Sequence, residues 1–198
     1  QMCIRDSFKT VQSLIGLETG AIDSNFTMGC SNPFVSCHEP HPNPCRLSQG
    51  LQWSCNPYFW NVYKRIINRG VDPNTFRDTK KGYDKWRDIT LSFGLGQPLG
   101  IDLPNEKKGI LPTSKYFDKV YGVNSWKYSN IYSISLGEGE LGILPVQLAN
   151  LASIYANRGW YIKPHFVRGM GDKQEKLPQY QEKHYIKAVS YTHLRAHE

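Results

Sequence analysis

Residues 57–70, PYFWNVYKRIINRG, commit the chain to an α-helix with one heavily apolar face. Pro57 suits the first helical position, where its missing N–H is no loss, and Gly70 marks the end. Phe59, Val62, Tyr63, Ile66 and Ile67 recur at helical spacing, a stripe that only a packed interior can cover. Such a helix needs neighbours, and the sequence offers several. FKTVQSLIGLETGAI (8–22) carries Val11, Leu14, Ile15 and Leu17, with a stop at Gly20. LSQGLQW (47–53) reads as a short helix and YDKWRDITLSF (83–93) as a longer one ending at Gly94. PVQLANLASIYANRG (145–159) has Pro145 in its first turn and Gly159 beyond its end. Strand character is expected over NIYSISL (130–136) and WYIKPHFVRGM (160–170), with Gly/Pro-punctuated loop and short strand across 94–125.

A length of 198 residues suits one domain or most of a larger one. Five Trp, 12 Tyr and 8 Phe exclude a disordered, low-complexity chain. No run approaches the ~20 apolar residues of a membrane helix. The net charge of +7 favours anionic partners such as phospholipid surfaces, cell-wall polymers or nucleic acid, yet charge spread this evenly also describes an ordinary solvated surface. The two ends differ from the middle. QMCIRDS lacks an apolar signal region, and AVSYTHLRAHE is a polar stub without a period. Both strings resemble translated sequencing adapters, so residues 1–7 and 188–198 are expected to be non-native tails around a partial domain at 8–187.

Ser54 and Asn56 stand two residues apart just ahead of the strong helix. On one tight loop a hydroxyl can relay a proton and a carboxamide can hold a carbonyl or an ammonium. The plainer role for Asn56 is to cap the helix beginning at Pro57. Lys9 starts the first helix. A lysine there can take a proton from a hydroxyl one turn earlier, when burial and other cations keep it neutral. The residue one turn earlier is Asp6, not a serine, and Ser7 points elsewhere. Cys30, Cys37, Cys45 and Cys55 fall close together with His38 and His41, enough thiol and imidazole for a tetrahedral zinc. A disulfide or small buried thiols compete with that reading. One glycine pattern misleads. Gly137-x-Gly139-x-x-Gly142 matches a dinucleotide fingerprint, but Glu138 and Glu140 would repel a pyrophosphate and no acidic residue follows near the ribose position, so a turn is expected.

Four segments, FKTVQSLIGLETGAI, SCNPYFWNVYKRIINRG, FGLGQPLGIDLPNEKKG and LGEGELGILPVQLANLASIYANRGWYIKPHF, occur in order. Together they resemble the transpeptidase domain of class B penicillin-binding proteins, of the elongation-specific penicillin-binding protein 2 type in a form like those of Bacteroidetes. The resemblance covers about residues 8–170. It implies an α/β (α+β) fold of helices packed on an antiparallel sheet, here incomplete. Of the family's three motifs, Lys9 matches the lysine of Ser-x-x-Lys, with Asp6 at the serine's place. Ser54 and Asn56 match Ser-x-Asn, and Lys-Thr/Ser-Gly is absent. Lys81-Gly82 is a decoy that lacks the intervening hydroxyl residue.

The implied chemistry is serine acyl transfer on D-Ala-D-Ala of peptidoglycan stem peptides, without a catalytic cofactor. Lys9 would be the base, Ser54 a proton relay, and Asn56 the holder of substrate amide and Lys9. β-Lactams would acylate the same serine, and a glycosyltransferase of the elongation machinery would be a partner at the periplasmic face of the inner membrane. No nucleic acid is implied. Some relatives of this type carry a structural zinc with one ligand at the centre of Ser-x-Asn, a position that Cys55 matches. The implied ligands are Cys30, Cys37, His41 and Cys55, with His38 able to replace His41. This chain itself is expected to be inactive. A non-catalytic zinc-stapled binding module is a rival reading. A β-lactam sensor or β-lactamase is another, opposed by the LPNE and GELG segments. Sequencing across the native locus should show a serine codon three before Lys9 and a downstream Lys-Thr/Ser-Gly; a native aspartate codon at position 6 would overturn the tail assignment.

Overall fold

The computed structural model describes residues 2–37, 40–172 and 175–188. They form two compact units, one from the chain up to Asp88 plus Pro112–Leu141, the other from Ile89–Leu111 plus the chain from Gly142.

The first unit begins with α1 (Met2–Glu18). Gly20, at φ 64°, reverses the chain, and the N–H groups of Ala21 and Ile22 both return to the Gly16 carbonyl. Strands β1 (Thr27–Met28) and β2 (Cys45–Arg46) pair antiparallel, Met28 opposite Cys45. This closes the cysteine-bearing loop and delivers the chain into α2 (Leu47–Gln52). Next comes α3 (Asn56–Ile67), which buries the expected stripe of Phe59, Val62, Tyr63, Ile66 and Ile67. It crosses α1 closely at Gly16, where an added Cβ would stand 3.2 Å from Val62 Cγ1.

Helix α4 (Thr75–Ser92) starts well before the expected residue 83. Its first turns are polar and carry no apolar period. They are held instead by Asn74 Oδ1, which accepts from the N–H groups of Phe76 and Arg77. The buried Asp78 carboxylate accepts from Gly70, Val71 and Asp72 N–H groups, fixing the turn after α3. Helix α5 (Ser114–Tyr121) stands where loop was expected, capped by Thr113 Oγ1 on Tyr116 N–H and anchored by Phe117.

The strand expected over 130–136 is overturned. Helix α6 (Tyr128–Ile131) and a 3-10 turn at Tyr132–Leu136 occupy the segment. Local β propensity loses to docking: Tyr128 donates to the Trp60 carbonyl at 2.5 Å, and Ile131 and Ile134 are fully buried one turn apart. Aromatic rings fill this unit's core. Trp86 meets Tyr63 at 5.2 Å and Phe8 at 6.1 Å, and its Nε1 donates to the buried Gln12 at 2.9 Å.

In the second unit, α7 (Pro145–Ala156) buries Gln147, Asn150, Leu151 and Ile154, one face of the expected helix. Gln147 Nε2 donates to the carbonyls of Gln97 and Lys108. The LPNE glutamate, Glu106, accepts from the N–H groups of Leu99, Gly100 and Ile101, which explains an acid after that turn. Strand β3 (Trp160–Tyr161) pairs antiparallel with β4 (His184–Tyr185). Of the strand character expected to residue 170, only β3 and an isolated antiparallel bridge of Met170 with Glu175 form among the described residues, and between them the Asp102 carboxylate takes the Phe166 and Val167 N–H groups. Among the described residues the named strands thus form two antiparallel pairs within a mixed helix-and-sheet fold.

Both decoy motifs are structural. Gly137 and Gly139 adopt φ 75° and 68° in a turn. Lys81-Gly82 lies inside α4, where Lys81 pairs with Asp72 and Gly82 passes the α3 backbone so closely that an added Cβ would sit 1.9 Å from the Ile67 carbonyl oxygen. Gly82→Ala is therefore expected to destabilise the chain by about 3 kcal/mol or to prevent folding, as overpacking against backbone that cannot yield. Gly70→Ala, at φ 69° in open space, should cost about 1 kcal/mol. Urea denaturation of the two variants checks the order.

Candidate active site

Lys9 is 1% exposed, an uncommon place for an ammonium. It projects from α1 toward the turn between α2 and α3, where three acceptors meet its three protons. Nζ donates to the Ser54 carbonyl at 2.6 Å, to Asn56 Oδ1 at 2.9 Å, and to Ser54 Oγ. The Phe59 ring lies 5.9 Å away. The turn is built for this. Ser54 N–H closes onto the Leu51 carbonyl and Cys55 N–H onto Gly50. Ser54 itself stands at φ 49°, a left-handed conformation unusual for serine. That conformation presents its carbonyl and its hydroxyl to the same ammonium.

Asp6 lies one helical turn before Lys9, as its spacing requires. Ser54 Oγ donates to Asp6 Oδ1 at 2.6 Å. The residue standing at the resembled nucleophile's place thus touches the same hydroxyl that Lys9 touches. Lys9, Ser54 and Asn56, nominated from separate segments, come together.

The capping role expected for Asn56 is corrected. The N-cap is Cys55, whose Sγ accepts from Tyr58 N–H at 3.4 Å. Asn56 is the first residue of α3, which frees its carboxamide for two other tasks. Its Oδ1 holds Lys9, and its Nδ2 donates to the Ser36 carbonyl at 3.0 Å. The Ser36 carbonyl had no signal in the sequence, since main-chain acceptors carry none.

Cys55 also joins a second cluster. Its Sγ, those of Cys30 and Cys37, and His41 lie within 4.8 Å of one another. In a tetrahedral site with thiolate bonds near 2.3 Å, sulfurs stand ~3.8 Å apart. Cys55 to Cys30 is 3.7 Å and Cys37 to Cys55 is 3.4 Å, close to that edge; Cys30 to Cys37 is tighter at 2.7 Å. His41 Nε2 faces Cys37 at 3.1 Å and Cys30 at 3.3 Å, while Nδ1 meets the Pro42 carbonyl at 2.9 Å, which fixes the ring with Nε2 inward. Three thiols and one imidazole are by their chemistry a donor set that suits a tetrahedral ion, although the Cys30–Cys37 edge is shorter than such an ion would set. Burial pushes the Cys30 and Cys37 thiols up and that of Cys55 up to about 12, so without a cation the thiols stay protonated. Cys45, fully buried, is a thiol outside the four-donor set. His38 lies outside the described residues.

Known proteins resemble this chain. The family model of the penicillin binding protein transpeptidase domain matches residues 7–196. The chain is 24% identical over 171 residues to the peptidoglycan D,D-transpeptidase MrdA of Acinetobacter baumannii, covering 82% of this chain and 23% of that protein. It is 26% identical over 136 residues to penicillin-binding protein 2B of Streptococcus pneumoniae, covering 67% of this chain and 18% of that one. The chain thus spans less than a quarter of these curated relatives. Among solved structures, S. pneumoniae penicillin-binding protein 2B superposes with TM-score 0.70 at 22% identity, over 96% of this chain and 32% of that chain. Pseudomonas aeruginosa PBP2, in complex with WCK 5153, gives 0.68 at 17%, over 91% and 39%. A buried lysine shared by the hydroxyl and carboxamide of a Ser-x-Asn turn, on a fold of this likeness and under a family match of this extent, leads to one conclusion: the chain belongs to the penicillin-binding protein transpeptidase domain family, of the class B, penicillin-binding protein 2 type.

Proposed function

We propose that this chain is part of a peptidoglycan D,D-transpeptidase that cross-links stem peptides by serine acyl transfer during cell elongation. The observation that carries the proposal is the convergence of Lys9 Nζ on Ser54 and Asn56. In the parent protein a serine replaces Asp6, one helical turn from Lys9. Lys9, acting as the neutral amine, takes the hydroxyl proton as the serine attacks the carbonyl of the penultimate D-alanine. Ser54, bonded to Lys9, passes a proton to the departing amine of the terminal D-alanine. Asn56 holds Lys9 through Oδ1 and meets the substrate amide. A second stem's amine then displaces the serine from the acyl-enzyme, forming the cross-link.

Asp6 cannot play the serine's part, and its carboxylate already accepts from Ser54. The chain as it stands is inactive on this reading, with Asp6 belonging to a non-native tail at 1–7 and a second tail at 188–198. Known relatives support the partners: one structure is a penicillin-binding protein of Mycobacterium complexed with aztreonam, another a complex of Helicobacter pylori PBP2 with MreC, a third a peptidoglycan synthase complex coordinating polymerization and crosslinking. β-Lactams, D-Ala-D-Ala stem peptides and a glycosyltransferase are the partners proposed here, at the periplasmic face of the inner membrane. Among the described residues no helix is long and apolar enough to cross a membrane.

Cys30, Cys37, His41 and Cys55 are the proposed ligands of a structural zinc. Four protein donors leave no open position, so the ion would serve as a cross-link rather than a Lewis acid. Since Cys55 sits between Ser54 and Asn56, its Sγ ties that turn to the 30–41 loop.

Two measurements test these readings. In the full-length protein with serine at the Asp6 position, Lys9→Ala and Asn56→Ala should each slow acylation by a fluorescent penicillin by about a hundredfold or more, whereas the present chain should give no labelled band. Rapid labelling that survives loss of Lys9 would defeat the mechanism. Elemental analysis of the refolded chain should give one zinc per molecule, and Cys55→Ser should remove it and lower the melting temperature; no zinc together with a Cys30–Cys37 disulfide would defeat the metal assignment.

A further inference from the structure

Where the ends of α1 and α3 meet α4 lies a cavity of about 310 Å³ that the candidate active site does not use. Its residue Thr19 follows α1, roughly 15 Å along the helix axis from Lys9. Gly82 lets α4 press on the α3 backbone at Ile67, and Lys81 and Lys85, one turn apart on α4, reach the same cavity. The buried Ile66 and Trp86 give it depth, and Val71, 75% exposed, is an apolar wall. Arg69 completes a basic rim. Its Nη1 donates to the Thr19 carbonyl at 2.9 Å, which holds the guanidinium in place. A guanidinium has five N–H donors, so donors remain for a ligand. Three lining cations thus face one lining carboxylate, that of Asp78, whose oxygens already accept from the Gly70, Val71 and Asp72 N–H groups. Lys81 is held by Asp72 at 2.8 Å, whereas Arg69 and Lys85 form no ion pair among the described residues.

An apolar pocket within a rim of surplus positive charge is complementary to an apolar side chain flanked by acids. At this volume it holds one large side chain, at the small end of ligand cavities. A basic segment would be repelled by the rim. A bare inorganic anion would leave Ile66 and Val71 uncovered, and an uncharged apolar group would make no use of Arg69 and Lys85. We propose that this cavity receives an acidic peptide segment of a partner protein, with an aromatic side chain entering it and flanking carboxylates meeting Arg69 and Lys85. The surface is separate from the Lys9 site, so the proposal stands apart from the transpeptidase reading.

The test uses the full-length protein from the native locus and fluorescein-labelled peptides built on Glu-Glu-Phe-Glu-Glu, titrated by fluorescence anisotropy. Saturable binding is expected. Exchanging the glutamates for glutamine should weaken it by about tenfold, as should exchanging the phenylalanine for serine. Raising the salt from about 50 to about 500 mM should weaken the acidic peptide by about threefold and leave the glutamine peptide unchanged. Lys85 and Val71 are exposed, so substitutions there spare the packed interior. Lys85→Glu should cost the acidic peptide about tenfold and turn the preference toward a lysine-flanked phenylalanine peptide. Val71→Ser should cut the advantage of phenylalanine over serine by about threefold, and melting curves check that both variants stay folded. Failure of the acidic peptide to bind, or binding indifferent to Lys85→Glu, overturns the proposal. So does inorganic phosphate competing for the site while phenylalanine and serine peptides bind alike, which would make it a simple anion site.

Discussion

The ammonium of Lys9 is the point on which the first unit turns. A cation buried to 1% exposure is tolerable only if each of its protons finds an acceptor, and here a carbonyl, a hydroxyl and a carboxamide meet them. Those acceptors come from residues 45 and 47 positions away in the chain, so the requirement of one side chain fixes how α1 meets the turn before α3. It also accounts for the left-handed Ser54: a conformation that serine seldom adopts persists because it brings two of its oxygens to one donor.

Cys55 binds this arrangement to another. It caps α3, joins the four-donor cluster, and lies between the two residues that hold Lys9. Three physical demands therefore converge on the tripeptide 54–56: capping of the start of α3, thiol clustering and hydrogen bonding of a buried ammonium. The aromatic core behind it is rigid for a simple reason. Trp86, Tyr63 and Phe8 meet edge to face, and the one polar handle of Trp86 is bonded to Gln12 on α1, so α1 cannot slide without breaking both packing and a buried hydrogen bond.

The helices of strong period were legible in the residues. The α3 stripe and the buried face of α7 were set by spacing alone, and Pro57 and Pro145 marked their starts. What escaped was whatever hydrophobic periodicity does not record, near or far along the chain. The first turns of α4 are polar and rely on Asn74 and on carboxylate–backbone bonds, and α5 has a single large anchor in Phe117. The segment 130–136 alternates like a strand yet coils, because Trp60 offers Tyr128 an acceptor and the interior has room for two isoleucines one turn apart.

By itself the sequence determined the inventory: a lysine, a hydroxyl–carboxamide pair, a knot of cysteines with histidine, and an acid where a hydroxyl was expected. It also determined the helices of strong period, α3 and α7, since periodicity is a local property. Tertiary structure decided what these groups do to one another. It took Asn56 out of its cap and gave that work to Cys55, and turned a strand into a helical turn. The reason is range. A side chain's hydrogen-bond partner is chosen by which atoms lie within about 3 Å of it, and for a buried group those atoms belong to segments whose distance along the chain no local pattern records.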